Sequence, residues 1–89
     1  MTSFRIREND LMWQEVEGEL IVLDADSSMY LRVAGAGLSL WPLLTAGADR
    51  ATLVQHLVTS FGIDAARAGA DVDEFLQGLR DRHLLVADA

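Results

Sequence analysis

The segment from Met29 to Trp41 constrains the fold of this chain more than any other part. Up to Val33 the residues follow the two-residue period of a strand, in which one face packs inward. Gly35 and Gly37 then interrupt this pattern, and a helical run begins within a few residues. The sequence therefore predicts a strand that leads directly into a helix.

The composition indicates one small globular domain over residues 1–89. Of 89 residues 51% are hydrophobic, and the chain has one proline and seven glycines, which is unlike a disordered tail. The absence of cysteine excludes disulfides, thiolate metal sites and a cysteine nucleophile. No apolar run has the length of a signal peptide or a membrane span, so we expect a cytoplasmic protein with no membrane partner.

The charge argues against nucleic acid as a partner. Fourteen acidic residues stand against seven arginines, with no lysine, and the formal net charge is −7. A protein that neutralises phosphates needs a cationic face. The first third of the chain is instead rich in acids: Glu8, Asp10, Glu15, Glu17, Glu19, Asp24 and Asp26.

Two turns predict a three-stranded antiparallel meander. Gly18 separates the apolar-rich runs 11–16 and 19–23 and can supply the positive φ of a tight hairpin. Asp24 opens the second turn, where its carboxylate can accept a hydrogen bond from the backbone two residues on. The third strand covers residues 28–33. Its two faces alternate, with Met29, Leu31 and Val33 toward the helices and Tyr30 and Arg32 away from them.

Three helices follow the meander. The first has two possible starts, at residues 35–37 or with Ser39 as N-cap; we expect a loose start near Ala36, regular helix after Ser39, and Trp41 in the core. The second spans residues 50–61, with Asp49 as its cap and Gly62 at its end. An apolar stripe runs along it: Leu53, Val54, Leu57, Val58 and Phe61, the last of which we expect in the core.

The third helix begins after Asp64, and residues 84–86 form a closing extended segment. This helix has an apolar stripe of its own: Val72, Phe75, Leu76, Leu79 and His83. The order of three strands and three helices predicts an α+β domain of winged-helix-like type.

The third strand is predicted to lie at the open edge of its sheet. An edge strand exposes backbone N–H and C=O groups that another chain can pair with. Such edges are usually protected by lysine, proline or very short length, whereas residues 29–33 offer only Arg32. We therefore expect this strand to accept an extended peptide.

The order and spacing of several short motifs resemble the PqqD-like family, also called RiPP recognition elements, whose members bind the leader segments of ribosomally made precursor peptides. The resemblance covers most of the chain. It rests on Trp13-Gln14-Glu15-Val16-Glu17-Gly18-Glu19 before Val22-Leu23-Asp24, on Tyr30 with Val33, on Gly37 before Leu40-Trp41 and Leu44, and on Asp71-Val72 with Phe75-Leu76 and Leu79 before Leu84-Leu85.

This resemblance implies that a leader peptide lies as a fourth strand beside the third, against the third helix. Backbone hydrogen bonds would hold it, and apolar pockets would select its side chains. The expected contacts are Ser28, Met29, Tyr30, Leu31, Arg32, Val33, Asp71, Val72, Phe75, Leu79 and Arg82. For Tyr30, packing at the solvent edge is an equal alternative, and an arginine at the position of Arg32 is more often a solvated charge than a peptide contact.

The sequence leaves open which flank of the third helix faces the cleft. Two sets of residues border its apolar stripe: Asp71, Gly78 and Arg82 on one side, and Gly69, Asp73 and Arg80 on the other. We expect the first set to face the cleft. Gly78 costs a helix about 1 kcal/mol relative to alanine. A peptide backbone that passes close to this position would explain the glycine. Neutral drift at an exposed position would explain it equally well.

The chain departs from the family pattern at several positions. Ser27-Ser28 and His83 stand where the family usually has glycine, and Ala34 where it often has asparagine. Residues 45–49 replace the Cys-Asp-Gly of the pyrroloquinoline quinone pathway members, which argues against that pathway. The resemblance is closer to the stand-alone proteins of lasso-peptide clusters, which deliver the precursor to a leader peptidase of the transglutaminase-like cysteine protease type.

Other functions fit the sequence less well. A winged-helix DNA-binding regulator has the same set of elements, but residues 64–83 hold five acids against three arginines. A structural subunit that pairs through the same edge is a third possibility. His56 and His83 have no metal-ligand spacing, and no serine lies in a nucleophile elbow. We expect no enzyme activity, no catalytic residue, no metal and no cofactor.

Overall fold

The computed structural model describes residues 2–88, within which six strands and three helices follow one another. The elements are β1 Ser3–Ile6, β2 Leu11–Val16, β3 Glu19–Asp24, β4 Met29–Val33, α1 Ala36–Ala46, β5 Ala48–Asp49, α2 Arg50–Phe61, α3 Ala65–Asp81 and β6 Leu85–Asp88. The α+β class, the antiparallel meander and the three helices after it are confirmed.

Strands β2, β3 and β4 form an antiparallel sheet in that order. Glu17 and Gly18 both have positive φ, 52° and 80°, as the two central residues of a type I′ hairpin turn require. The Asp24 carboxylate accepts a hydrogen bond from the Asp26 N–H at 3.0 Å, so the second turn forms as predicted. Leu31 lies opposite Val22 and Val33 opposite Leu20, which places both strand residues over the core.

A second sheet, of order β5-β1-β6, was not predicted. Strand β1 pairs antiparallel with β6, from Ser3 opposite Asp88 to Ile6 opposite Leu85. The expected closing segment is therefore a strand that joins the beginning of the described chain. These strands are only two to four residues long, and their pairing partners lie far apart in the sequence, so no local pattern reveals them.

The helix boundaries follow local capping chemistry. Asp49 accepts a hydrogen bond from the Thr52 N–H at 2.8 Å, and Asp64 accepts one from the Arg67 N–H at 2.7 Å, as N-caps do. Gly62 ends α2 in the left-handed conformation at φ 64°. Helix α1 begins at Ala36, as predicted, and its first backbone hydrogen bond, from the Ser39 N–H to the Gly35 carbonyl, is 3.4 Å long. Gly35 precedes the helix with φ 60°.

One hydrophobic cluster joins the meander, the three helices and the second sheet. Trp41 is 3% exposed, as predicted, and the ring of Trp13 meets it edge-on with centroids 5.4 Å apart. Phe61 is 50% exposed, so its assignment to the core was wrong. It is the last residue of α2, where the chain turns away at Gly62.

None of the helices within residues 2–88 has both the length and the apolarity needed to cross a bilayer.

Two turns adopt a conformation that glycine favours although neither contains glycine at that position. Ser28, before β4, has φ 59°, and His83, after α3, has φ 60°. Helix α3 ends at Asp81, so His83 does not continue the apolar stripe as predicted. These are two of the positions at which the family resemblance predicts glycine, and the turn geometry is retained without it.

Replacing His83 with glycine should stabilise the protein. The left-handed conformation costs a non-glycine residue about 1–2 kcal/mol, of which roughly half is offset by the greater freedom of glycine in the unfolded chain. We expect the free energy of unfolding in urea to rise by about 1 kcal/mol for His83→Gly. The control His83→Ala keeps the unfavourable φ and should bring no gain; equal effects of the two variants would contradict the account.

Candidate peptide-binding site

One edge of strand β4 is open. The sheet order places β3 on one side of β4, and within residues 2–88 no strand lies on the other. In an antiparallel strand alternate residues direct their N–H and C=O groups to each edge, so this side of β4 presents a row of unpaired groups. The residues of β4 are thus available for pairing along about 17 Å, at 3.4 Å per residue.

A groove of about 500 Å³ separates this edge from helix α3. Its apolar floor consists of Leu31 and Val33 from β4 and Phe75 and Leu79 from α3. The remaining lining residues are Arg32, Ala34, Ala36, Gly37, Asp71, Glu74, Gly78 and Arg82.

Gly37 allows the first turn of α1 to close one end of the groove. A Cβ atom added there would lie 2.7 Å from Phe75 Cε1 and 2.9 Å from Val33 Cγ1, closer than real contacts permit. Gly37 is buried between the two side chains. The absence of a side chain at this position therefore sets the positions of Phe75 and Val33 in the floor.

The structure shows which flank of α3 faces the groove. Asp71, Gly78 and Arg82 line it. On the opposite flank, Asp73 accepts hydrogen bonds from the Arg50 guanidinium at 2.7 and 3.0 Å, and this exposed pair joins α3 to α2. The hydrogen bonds, with their charge interaction, lower the pKa of the Asp73 carboxyl.

Seven of the eleven predicted contact residues line the groove itself: Leu31, Arg32, Val33, Asp71, Phe75, Leu79 and Arg82. Three more, Ser28, Met29 and Tyr30, border a shallow extension of it past the start of β4, together with Arg82. Met29 was expected to pack toward the helices, but it is mostly exposed at this open end. Tyr30 is 66% exposed.

Val72 requires a correction. It is 0% exposed in the hydrophobic core, and it is not among the residues that line the groove. The apolar stripe of α3 is wide enough to have an inner row under the sheet and an outer row at the groove, and Val72 belongs to the inner one.

Sequence reasoning missed four lining residues. Ala34, Ala36 and Gly37 come from the junction between β4 and α1, where small side chains carry no signal of their own. Glu74 lies three residues after Asp71 and four before Gly78, so helical spacing from the expected flank would have identified it.

A smaller cavity of about 230 Å³ adjoins the groove beside the start of β4. Its walls are largely apolar, and Val22, Leu31 and Leu84 lie among them. The other lining residues are Asp24, Ser27, Met29, Tyr30, Arg82 and His83. The cavity has the size of one large apolar side chain.

Arg7 holds the polar wall of this cavity in place. Its guanidinium donates to the Asp24 carboxylate at 2.6 Å and to the His83 carbonyl at 3.1 Å, which ties the turn before β4 to the turn after α3. Burial raises the pKa of Asp24, but hydrogen bonds from Arg7, Ser27 and the Asp26 N–H outweigh it, and the pKa is lowered overall. The carboxylate is charged at neutral pH.

The side-chain pair that most resembles a catalytic arrangement lies outside the groove. Ser39 Oγ and His56 Nε2 are 2.7 Å apart across α1 and α2 and do not line the groove. Within residues 2–88 no carboxylate orients the other ring nitrogen of His56, as a catalytic triad would require. The same residues contain no group of three side chains suited to a metal ion.

Comparison with known proteins adds to this geometry. The sequence profile of the family described as coenzyme PQQ synthesis protein D (PqqD) matches residues 19–85. No curated protein matches the chain at a significant level.

Two solved structures have a similar fold. One is TbiB1 in complex with the TbiA(beta) leader peptide, at 21% identity and a TM-score of 0.81, with 91% of this chain and 93% of that chain covered. The other is lasso peptide synthetase B1 complexed with the leader peptide, at 18% identity and a TM-score of 0.82, with 93% and 96% covered.

Proposed function

The chain belongs to the PqqD family, and we propose that it binds the leader segment of a ribosomally synthesised precursor peptide as an additional strand on β4. The leader would lie in the groove between β4 and α3. The protein would then present the bound precursor to a partner enzyme.

The observation that carries this proposal is the combination of an open strand edge with an apolar groove beside it. The edge supplies backbone donors and acceptors in a row, and the groove supplies the half-buried Leu31 and Phe75 for alternate side chains of the peptide. In support, the two similar structures were solved with leader peptides bound.

Affinity and selectivity would come from different parts of this site. Ladder hydrogen bonds accept any residue except proline, so they contribute affinity. Selection falls to the groove floor and to the small cavity, whose size suits one large apolar side chain of the leader. No catalytic residue is needed for this role.

DNA binding is the weaker alternative, because the groove-facing flank of α3 carries Asp71 and Glu74 and the whole chain has a net charge of −7. Both would repel phosphate. Pairing of two copies through β4 is a second alternative, and it would compete with the leader for the same edge.

Titration of the protein into a labelled leader peptide tests the proposal. The probe is the leader of the precursor encoded beside the gene, followed by fluorescence anisotropy, with a scrambled leader and a DNA duplex as controls. We expect saturable binding of the true leader alone. Phe75→Ala should weaken it about tenfold or more, since Phe75 is the largest apolar side chain in the groove.

The matched control is Phe61→Ala, which removes an equal side chain from an exposed position outside the groove. It should leave the affinity unchanged. Equal loss in the two folded variants, or binding of the duplex alone, would contradict the proposal.

Substitution at Gly78 should separate binding from stability. An added Cβ meets no atom within 4 Å, so Gly78→Ala should raise the free energy of unfolding in urea by about 1 kcal/mol.

The larger Gly78→Leu places a side chain in the groove and should weaken leader binding at least about tenfold. The control Ala70→Leu changes an exposed position of α3 outside the groove and should not. Unchanged affinity for Gly78→Leu would mean that the peptide does not pass α3 closely.

We further propose that the partner enzyme is a leader peptidase of the transglutaminase-like cysteine protease type. If so, adding the protein to that peptidase should accelerate cleavage of the leader, and the Gly78→Leu variant should accelerate it less. The protein alone should release no product. A cleavage rate that does not depend on the protein would contradict this part of the proposal.

A further inference from the structure

Charged side chains along the groove are separated by sign. Arg82 borders both the groove and its extension past Met29 and Tyr30, at the end where β4 begins. Arg32 alternates with Leu31 and Val33, which face the core, so it belongs to the other face of β4. Asp71 and Glu74 border the groove alone, whose opposite end is lined by the residues that follow β4. The site is therefore cationic at one end and anionic at the other.

These three side chains are not used by the fold. Within residues 2–88 none of them takes part in an ion pair or a side-chain hydrogen bond. Arg7 and Arg50, by contrast, are each paired with a carboxylate, Asp24 and Asp73 respectively. The charges at the groove ends are therefore available to a ligand.

The part of the groove between the charged ends is apolar. Leu31, Phe75 and Leu79 form its floor, and Gly78 leaves open space above them. A complementary peptide has a basic residue on one side of an apolar stretch and an acidic residue on the other side.

The helix fixes the distance between the two charges. From Asp71 to Arg82 a helical rise of about 1.5 Å per residue gives roughly 16 Å. An extended peptide covers this distance in about five residues at roughly 3.3 Å each. The acidic residue of the ligand would thus follow or precede the basic one by about five positions.

The proposal takes the bound peptide as antiparallel to β4, which is the commoner pairing and continues the pattern of the sheet. Every strand pair in the described chain is antiparallel. A peptide antiparallel to β4 enters beside Asp71 and Glu74 and leaves beside Arg82. We propose that the protein selects leader segments with a basic residue near the N-terminal end of the paired stretch and an acidic residue about five positions later. This inference rests on the proposed function and adds a charge pattern to it.

The expected preference is moderate, because all three side chains are at least partly exposed. An exposed ion pair changes an equilibrium by roughly two- to fivefold. Two pairs together give a preference of about tenfold for the complementary charge order over the reversed one. It should decrease at high salt, where the Debye length falls to a few ångströms.

Selection from a peptide library tests the inference without a known leader. The full-length protein is immobilised, random peptides of about twelve residues displayed on phage are selected on it, and the enriched sequences are aligned on their apolar core. We expect basic residues to be enriched before the core and acidic residues after it. On Arg82→Glu the acidic enrichment should disappear and basic residues should take its place.

The control Arg80→Glu reverses the same charge only two positions away, on the flank that does not line the groove. It should leave the enrichment unchanged. Two synthetic peptides with one enriched core and opposite charge order should then differ about tenfold in affinity for the wild-type protein, and Arg82→Glu should reduce or reverse that difference.

The possible failures have different meanings. Enriched peptides without a charge order, or equal responses of Arg82→Glu and Arg80→Glu, would overturn the inference while the proposed function stands, provided that the encoded leader binds. If neither the encoded leader nor any library peptide binds, the proposed function and the inference fall together.

Discussion

The rest of the site depends on the contact of Gly37 with Val33 and Phe75. Because this glycine has no side chain, the first turn of α1 lies directly against the floor of the groove. Gly35, with φ 60°, lets the chain turn from strand to helix in two residues. A larger residue at position 37 would displace Phe75 or Val33, and the spacing between β4 and α3 would change. The strand-to-helix junction is thus also the element that shapes the groove.

An open strand edge is normally a risk of aggregation. Here the net charge of −7 opposes association between copies, and α3 covers the approach to the edge from one side. A single extended segment can enter the groove, whereas a second folded domain would meet the helix. The same arrangement that limits self-pairing therefore favours a flexible peptide as the occupant.

Local chemistry made much of this fold predictable. Turns and helix caps depend on only a few neighbouring residues. The four that the sequence predicted all form: the hairpin turn at Gly18, the N-caps Asp49 and Asp64, and the helix end at Gly62. The sheet of β1, β5 and β6 depends on contacts between distant and very short segments, and it was missed for that reason. The position of Val72 and the choice of flank on α3 depend on how the helix is rotated against the sheet, and contacts with residues distant in the sequence decide that rotation. A helical wheel defines the faces of a helix and not their orientation.

The most direct test of the central claim is amide hydrogen exchange with and without the encoded leader peptide. If the leader adds a strand to β4, alternate amides of β4 become hydrogen-bonded and their exchange should slow markedly, because exchange requires that the bond open. Strand β1, in the other sheet, should show no comparable change. Saturating leader that leaves β4 exchange unchanged, or that protects another surface instead, would contradict the account.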